Sequence, residues 1–207
     1  MKIVSAQVFP IRIPLKIPFT IARGSLTHSN HVLVRLEGED GTEGWGETTT
    51  FLEVYGYDQP MLAHVIEAHL IPAVLGVDAA DLNEIHKRMD AAVPFNLMAK
   101  CAVDLAACDL AAKQVGLPIY RWLGAEKVAR VNVVGAVGIV PPGKAAEKAR
   151  ELVSIGFRTI KVKIGLDPDQ DIARVSAVRL AAGEEISLRV DANQGYSRTQ
   201  AAAVLRS

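Results

Sequence analysis

Residues 157–165 read F-R-T-I-K-V-K-I-G, and residues 186–196 read I-S-L-R-V-D-A-N-Q-G-Y. The residues between them carry a helical pattern, so two short β-type runs flank one helix. Successive side chains of a strand point to opposite faces, which puts Lys161 and Lys163 on one face and Ile160, Val162 and Ile164 on the other. Two ammonium groups side by side repel, and each eases proton loss from the other. A lysine in such surroundings can act as a base near neutral pH. The second run presents Asp191 and Asn193, again two apart and again on one face. Where parallel strands alternate with helices, reactive groups gather at the carboxyl ends of the strands. The expected arrangement is a lysine pair beside an oxygen-rich, metal-binding strand end.

Neither half of the pattern is specific alone. An isolated K-x-K is normally a solvated strand edge. D-x-N-x-G is often only a turn, since Asp and Asn bond their own backbone and Gly supplies positive φ. It also begins like a calcium loop, but the later ligands and closing Glu of an EF-hand are missing. Two such strand ends, one helix apart, are what carries the signal.

Half of the 207 residues are hydrophobic, enough to bury a core in one or two domains. Formal net charge is zero and there is no basic run, which argues against nucleic acid or an acidic membrane as partner. No apolar run approaches the ~20 residues that span a bilayer, and residues 1–10, M-K-I-V-S-A-Q-V-F-P, do not read as a signal peptide. Cys101 and Cys108, seven apart on a predicted helix, share a face but lie ~10 Å apart, too far for an intrahelical disulfide. They read as reduced core thiols of a cytoplasmic protein.

Residues 1 to about 50 read as an antiparallel meander. Lys2–Ile13 is an alternating strand broken by Pro14 and Pro18. His31–Glu37 and Thr42–Glu47 form a hairpin around Asp40-Gly41, a dipeptide suited to a tight primed turn. Phe19–Asn30 between them is polar and reads as a loop. Gly44 and Gly46 flank Trp45 without the strand–turn–helix context of a dinucleotide fingerprint. Helical patterns follow at Gln59–Ala73, at Asp81–Met89 with Asp78 or Asp81 as cap, and at alanine-rich Leu97–Val115, stopped by Gly116 and Pro118. Asp104 and Asp109 fall on different faces of that helix and read as structural or solvated. His64, His69 and His86 lack metal-ligand spacing. From Glu126 the order is strand (Val131–Val140), helix from Pro141 and Pro142, strand with the lysines, helix Asp167–Ala182, strand with Asp191, and a helix capped by Ser197. Alternating β and α units predict a parallel sheet with right-handed crossovers, hence part of an α/β barrel.

K-V-K-I-G followed by R-V-D-A-N-Q-G-Y resembles the second and third barrel strands of the enolase superfamily, within its mandelate racemase and muconate lactonizing enzyme group. The resemblance covers essentially the whole chain. It implies an α+β capping domain over residues 1–125, a β-meander with a helical bundle, followed at 126–207 by the first three β/α units of a TIM-like barrel. It further implies a Mg²⁺-dependent enzyme (Mn²⁺ being possible) acting on a small carboxylate substrate and forming a homo-oligomer when intact. Its chemistry removes the proton α to the carboxylate, leaving an enediolate whose charge a divalent cation stabilises. On this resemblance Lys163 is the acid/base, Lys161 its electrostatic partner and carboxylate contact, Asp191 the first metal ligand and Asn193 a substrate-side hydrogen-bonding group. Residues 19–30 resemble the mobile loop that covers the family's active site, so Thr20 and Arg23 become candidate substrate contacts. That loop is more similar to the muconate cycloisomerase and dipeptide epimerase branch, which implies epimerisation, racemisation or cycloisomerisation. Mandelate-type racemisation and acid-sugar or o-succinylbenzoate-type dehydration remain alternatives.

The family's barrel has eight strands, and three are expected here. The remaining metal carboxylates and the opposite acid/base belong to later strands. The chain is therefore expected to be the N-terminal part of a longer enzyme, not competent by itself. A Schiff-base aldolase and a non-catalytic remnant or split-chain subunit are the readings from other classes.

Overall fold

A computed structural model describes residues 1–128 and 130–207. It divides into two compact units. One contains Met1–Pro14 and the segment beginning at His28; the other contains Leu15–Thr27 together with Arg130–Ser207. Among the described residues no helix is long and apolar enough to cross a membrane.

Three antiparallel strands open the chain: β1 (Ile3–Ile21), β2 (Gly24–Gly38) and β3 (Glu43–Thr50), in that order across the sheet. From Val32 onward in β2 and throughout β3 every second residue is buried, as expected for a sheet with one covered face. The helical part comprises α1 (Leu52–Tyr55), α2 (Gln59–Val65), α3 (Ile71–Val74), α4 (Leu82–Ala92), α5 (Leu97–Gln114) and α6 (Ile119–Trp122). Val32, Val34 and Leu36 of the sheet share one core with Leu62, Ile66, Ile85 and the alanine face of α5.

The second unit alternates β4 (Val134–Val137), α7 (Pro142–Ser154), β5 (Thr159–Lys163), α8 (Pro168–Ala182), β6 (Ser187–Asp191) and α9 (Arg198–Val204). The strands are parallel in the order β4-β5-β6. This is an antiparallel sheet with helices followed by three β/α units. Asp167 caps α8 by accepting from the Gln170 amide, and Pro168 fills a first-turn position that has no N–H to lose. Ser197 and Gln200 form a reciprocal capping box at α9. Ile160 and Val162 are fully buried among α7 and α8 side chains, which fixes the opposite face of β5 for the lysines.

Five expectations are corrected. Pro14 and Pro18 do not break β1, which runs unbroken to Ile21. As an edge strand β1 has alternate N–H groups without a ladder partner, and Pro10, Pro14 and Pro18, spaced by four, can all occupy such positions. The expected loop at 19–30 is therefore a hairpin with its tip at Ala22-Arg23. The β2–β3 connection is not a two-residue primed turn. The Gly41 amide bonds to the Gly38 carbonyl, and only Gly41, at φ +81°, takes the left-handed conformation there. A type I turn closed by a left-handed glycine uses the same dipeptide in a longer loop. The helix over 59–73 is interrupted by a π-turn at Ile66–Leu70, where the Ile71 amide reaches back to the Ile66 carbonyl. Pro72 follows at once; it has no N–H and crowds the carbonyl four residues back, so the widened turn relieves it. The first strand of the parallel sheet is Val134–Val137, shorter than 131–140.

Candidate active site

The lysine strand and the aspartate strand pair in parallel with Lys163 opposite Asp191 and Lys161 opposite Arg189. This register brings the charges together. Lys163 Nζ donates to Asp191 Oδ2 at 2.9 Å and to Asn193 Oδ1 at 2.7 Å, and Lys161 Nζ lies 2.7 Å from the same Asp191 oxygen. The expected like-charge pair thus has a shared carboxylate between its two ammonium groups. Lys163 is the enclosed one, with its side chain 11% exposed against 39% for Lys161. Burial works to raise the Asp191 pKa, but the hydrogen bonds from Lys161 and Lys163 and from the Asn193 amide outweigh it and hold the carboxyl well below its ordinary value.

The turn after β6 is held in an unusual shape. Asn193 and Gln194 both have positive φ, at 43° and 63°. Asn tolerates that region and Gln seldom enters it. The Asn193 backbone amide donates to Asp191 Oδ1 at 2.9 Å, an Asx-type turn that aims the Asn193 side-chain oxygen Oδ1 back at Lys163. Gly165 ends the neighbouring turn at φ +116°, and a Cβ there would lie 2.4 Å from the Ala192 carbonyl oxygen. Only glycine allows the two turns to approach so closely.

Of the six residues singled out from sequence, Lys161, Lys163, Asp191 and Asn193 meet in one cluster. Thr20 and Arg23 lie on the β1–β2 hairpin, which groups with this same unit. The Thr20 carbonyl accepts from the Ile139 amide at 2.9 Å, and its hydroxyl pairs with that of Ser25. Neither link reaches the lysine pair. What seats the hairpin tip is Ala22, whose Cβ would lie 2.8 Å from a Cβ on Gly165 and 2.6 Å from one on Gly195.

A set of residues that sequence reasoning passed over lies beneath the cluster. Asp171, fully buried in α8, accepts from the amides of Gly165 (2.7 Å) and Leu166 (3.2 Å) and from the Tyr196 hydroxyl, and pairs with Arg174. Burial alone would raise its pKa; the Tyr196, Gly165 and Arg174 contacts reverse that and lower it. Tyr196 is pushed above its ordinary value, first by burial and then by the carboxylate it donates to. The available signal was D-x-x-R within a predicted helix, a spacing shared with many solvated ion pairs.

As a metal site the cluster is incomplete. Asp191 and Asn193 supply one carboxylate and one amide oxygen, whereas Mg²⁺ requires near-octahedral oxygen coordination. Among the described residues no group of three or more His, Cys, Asp or Glu side chains could hold an ion.

Comparison with known proteins gives these residues a setting. The model of the mandelate racemase / muconate lactonizing enzyme N-terminal domain matches residues 3–124, and the enolase C-terminal domain-like model matches residues 144–207. The chain belongs to the mandelate racemase / muconate lactonizing enzyme family. Among relatives in this family, a D-Ala-D/L-Ala epimerase of Cytophaga hutchinsonii is 36% identical over 95% of this chain and 53% of its own length. Muconate cycloisomerase 1 of Pseudomonas putida is 32% identical over 89% of this chain and 50% of its own. The crystal structure of a dipeptide epimerase from Enterococcus faecalis, complexed with Mg and the dipeptide L-Leu-L-Tyr, superposes with a TM-score of 0.93 at 35% identity, over all of this chain and 58% of that one. The chain thus spans about half the length of the curated relatives it matches.

Proposed function

We infer that these residues contribute one side of the active site of an isomerase that removes the proton α to a carboxylate. The observation that carries this reading is the meeting of Lys161, Lys163, Asp191 and Asn193 at the carboxyl ends of two adjoining parallel strands. Lys163 is the group that takes or returns the carbon-bound proton, because it is the enclosed amine and Asn193 fixes its direction. Lys161, more exposed, receives a substrate carboxylate oxygen by charge-assisted hydrogen bonding. Asp191 is one oxygen ligand of a Mg²⁺ or Mn²⁺ ion whose other ligands come from outside these 207 residues. When bound, such an ion stabilises charge developing on the carboxylate oxygens. Thr20 and Arg23 are carried on the hairpin as substrate contacts. The protein is read as a cytoplasmic homo-oligomer in its complete form.

Epimerisation of a dipeptide or acylated amino acid is the favoured reaction, since relatives bearing epimerase names match across nearly the whole chain. Cycloisomerisation is the second reading, supported by the muconate cycloisomerase relative.

The test is α-proton exchange into D₂O, followed by NMR with an L-Ala-containing dipeptide and Mg²⁺ in the complete enzyme. Lys163→Ala should lower exchange at one face of the α-carbon by about 10²–10⁴-fold while leaving metal affinity near its original value. Asp191→Asn should instead weaken Mg²⁺ binding, as read by calorimetry. Undiminished exchange in the lysine variant would remove Lys163 from the reaction.

A further inference from the structure

Arg174 and Asp171 form a buried ion pair, an arrangement that often contributes no more stability than apolar residues of similar volume. What they hold is informative. Arg174 Nε donates to the Val140 carbonyl at 2.6 Å, just beyond β4, and its Nη1 donates to the carbonyl of Lys163 itself at 3.4 Å. Asp171 accepts the amides of Gly165 and Leu166, the turn leaving β5, and the hydroxyl of Tyr196, in the turn leaving β6. Backbone beyond the carboxyl ends of β4 and β5 and a side chain from the turn after β6 thus converge on one pair of α8 side chains. Nothing comparable is required to close a helix onto a sheet: α7, on the same sheet, packs through Ala145, Ala149 and Leu152.

The tied backbone is the part that aims the site. Lys163 is bonded to Arg174 through its carbonyl and lies two residues before Gly165. Tyr196 lies three residues after Asn193, across the left-handed pair Asn193 and Gln194. We propose that Asp171, with Arg174, is a positioning residue that fixes where the Lys163 ammonium meets Asp191 and Asn193, by knotting the β5–α8 turn to the β6–α9 turn beneath the site. Its meaning for catalysis rests on the proton-transfer role of Lys163 proposed above, but the placement itself does not. A small error in the direction of an acid/base group costs far more rate than stability.

The experiment reads lysine accessibility, which needs no turnover. The complete enzyme and its Asp171→Asn and Tyr196→Phe variants are treated briefly with an amine-acylating reagent, and modification of each lysine is followed by peptide mass spectrometry. In Asp171→Asn an amide N–H₂ must face donors or Arg174, so the knot loosens. Lys163 modification should rise about fivefold or more relative to Lys161, the change expected from losing hydrogen bonds worth about 1 kcal/mol or more. Tyr196→Phe, which removes only the link to the β6–α9 turn, should give a smaller rise in the same direction. Lys163 reactivity unchanged in variants that still melt cooperatively would overturn the proposal, as would an equal rise at Lys161. Should Asp171→Asn not fold, Tyr196→Phe decides alone. Absence of α-proton exchange in the complete enzyme would remove the catalytic role of Lys163 and leave this result standing.

Discussion

Cys101 and Cys108 differ by only about 20° around their helix, a heptad apart, yet one is exposed and the other is 5% exposed. Periodicity placed them on one face and could not show that the covering of that face ends before Cys101, so the reading of two core thiols fails for one of them. Burial pushes the Cys108 thiol up to about 11, with the Asp104 carboxylate adding to the effect. A thiol-disulfide reagent at pH 8 should therefore titrate one cysteine in the native chain and two after denaturation. Two fast native equivalents would contradict the burial of Cys108. The same contrast explains what could be read of the site. Lys161, Lys163, Asp191 and Asn193 were legible because strand alternation fixes which face each side chain takes, and the neighbouring Ile160 and Val162 declare the other face apolar. Asp171 was not legible. An Asp three residues before an Arg on a helix looks the same whether solvent or two strand-end turns surround it, and those turns come from elsewhere in the chain.

At the scale of elements, the pairing of β3 with α5 shows what the isolated glycines were for. A Cβ on Gly46 would fall 2.0 Å from the Ala102 carbonyl oxygen and 2.6 Å from the Ala106 nitrogen. A Cβ on Gly44 would fall 2.2 Å from the Ala106 carbonyl oxygen. The helix backbone itself lies on the strand, which only glycine facing alanine permits. The sequence excluded a nucleotide-binding role for these glycines, and it showed an alanine-rich helix fit for close approach; that the two meet is information held by the tertiary fold. Gly46→Ala should therefore cost about 1–3 kcal/mol, in the range for forced overpacking, because backbone has nowhere to retreat. Urea unfolding of Gly46→Ala beside Gly41→Ala separates this from a conformational effect. Gly41 has open space around its missing Cβ, so strain at its φ of +81° is its sole cost. Equal stability of Gly46→Ala and the parent chain would refute the close approach. The prolines of β1 make the complementary point, since a rule that proline ends a strand holds only where the strand has a neighbour on both sides.

For the molecule as a whole, the two units carry their perturbed carboxylates differently. In the unit containing β3 and α5, the lowered groups are Asp40, Asp78 and Glu84, all near the surface. Ion pairs there contribute little to stability. In the parallel-sheet unit, Asp171 is fully buried and Asp191 is shared between two lysines. Both have folded pKa values below their unfolded ones. Each therefore contributes stability that is complete above the unfolded value, near 3.9, and is lost as pH falls through the folded one. Protonating Asp171 also removes the charge opposite Arg174, which is itself only 4% exposed, and leaves a buried cation uncompensated. Acid should consequently loosen the parallel-sheet unit first. Hydrogen exchange with mass-spectrometric readout, stepped from pH 5 down to pH 2.5, should show the β5 amides at Ile160 and Val162 losing protection before those of β2 at Val32 and Val34. Asp171→Asn, having no proton to gain at that position, should show a shallower acid limb in the same experiment. Simultaneous loss across both units, or an unaltered limb in the variant, would mean that the carboxylates beneath the lysine pair do not govern the acid response.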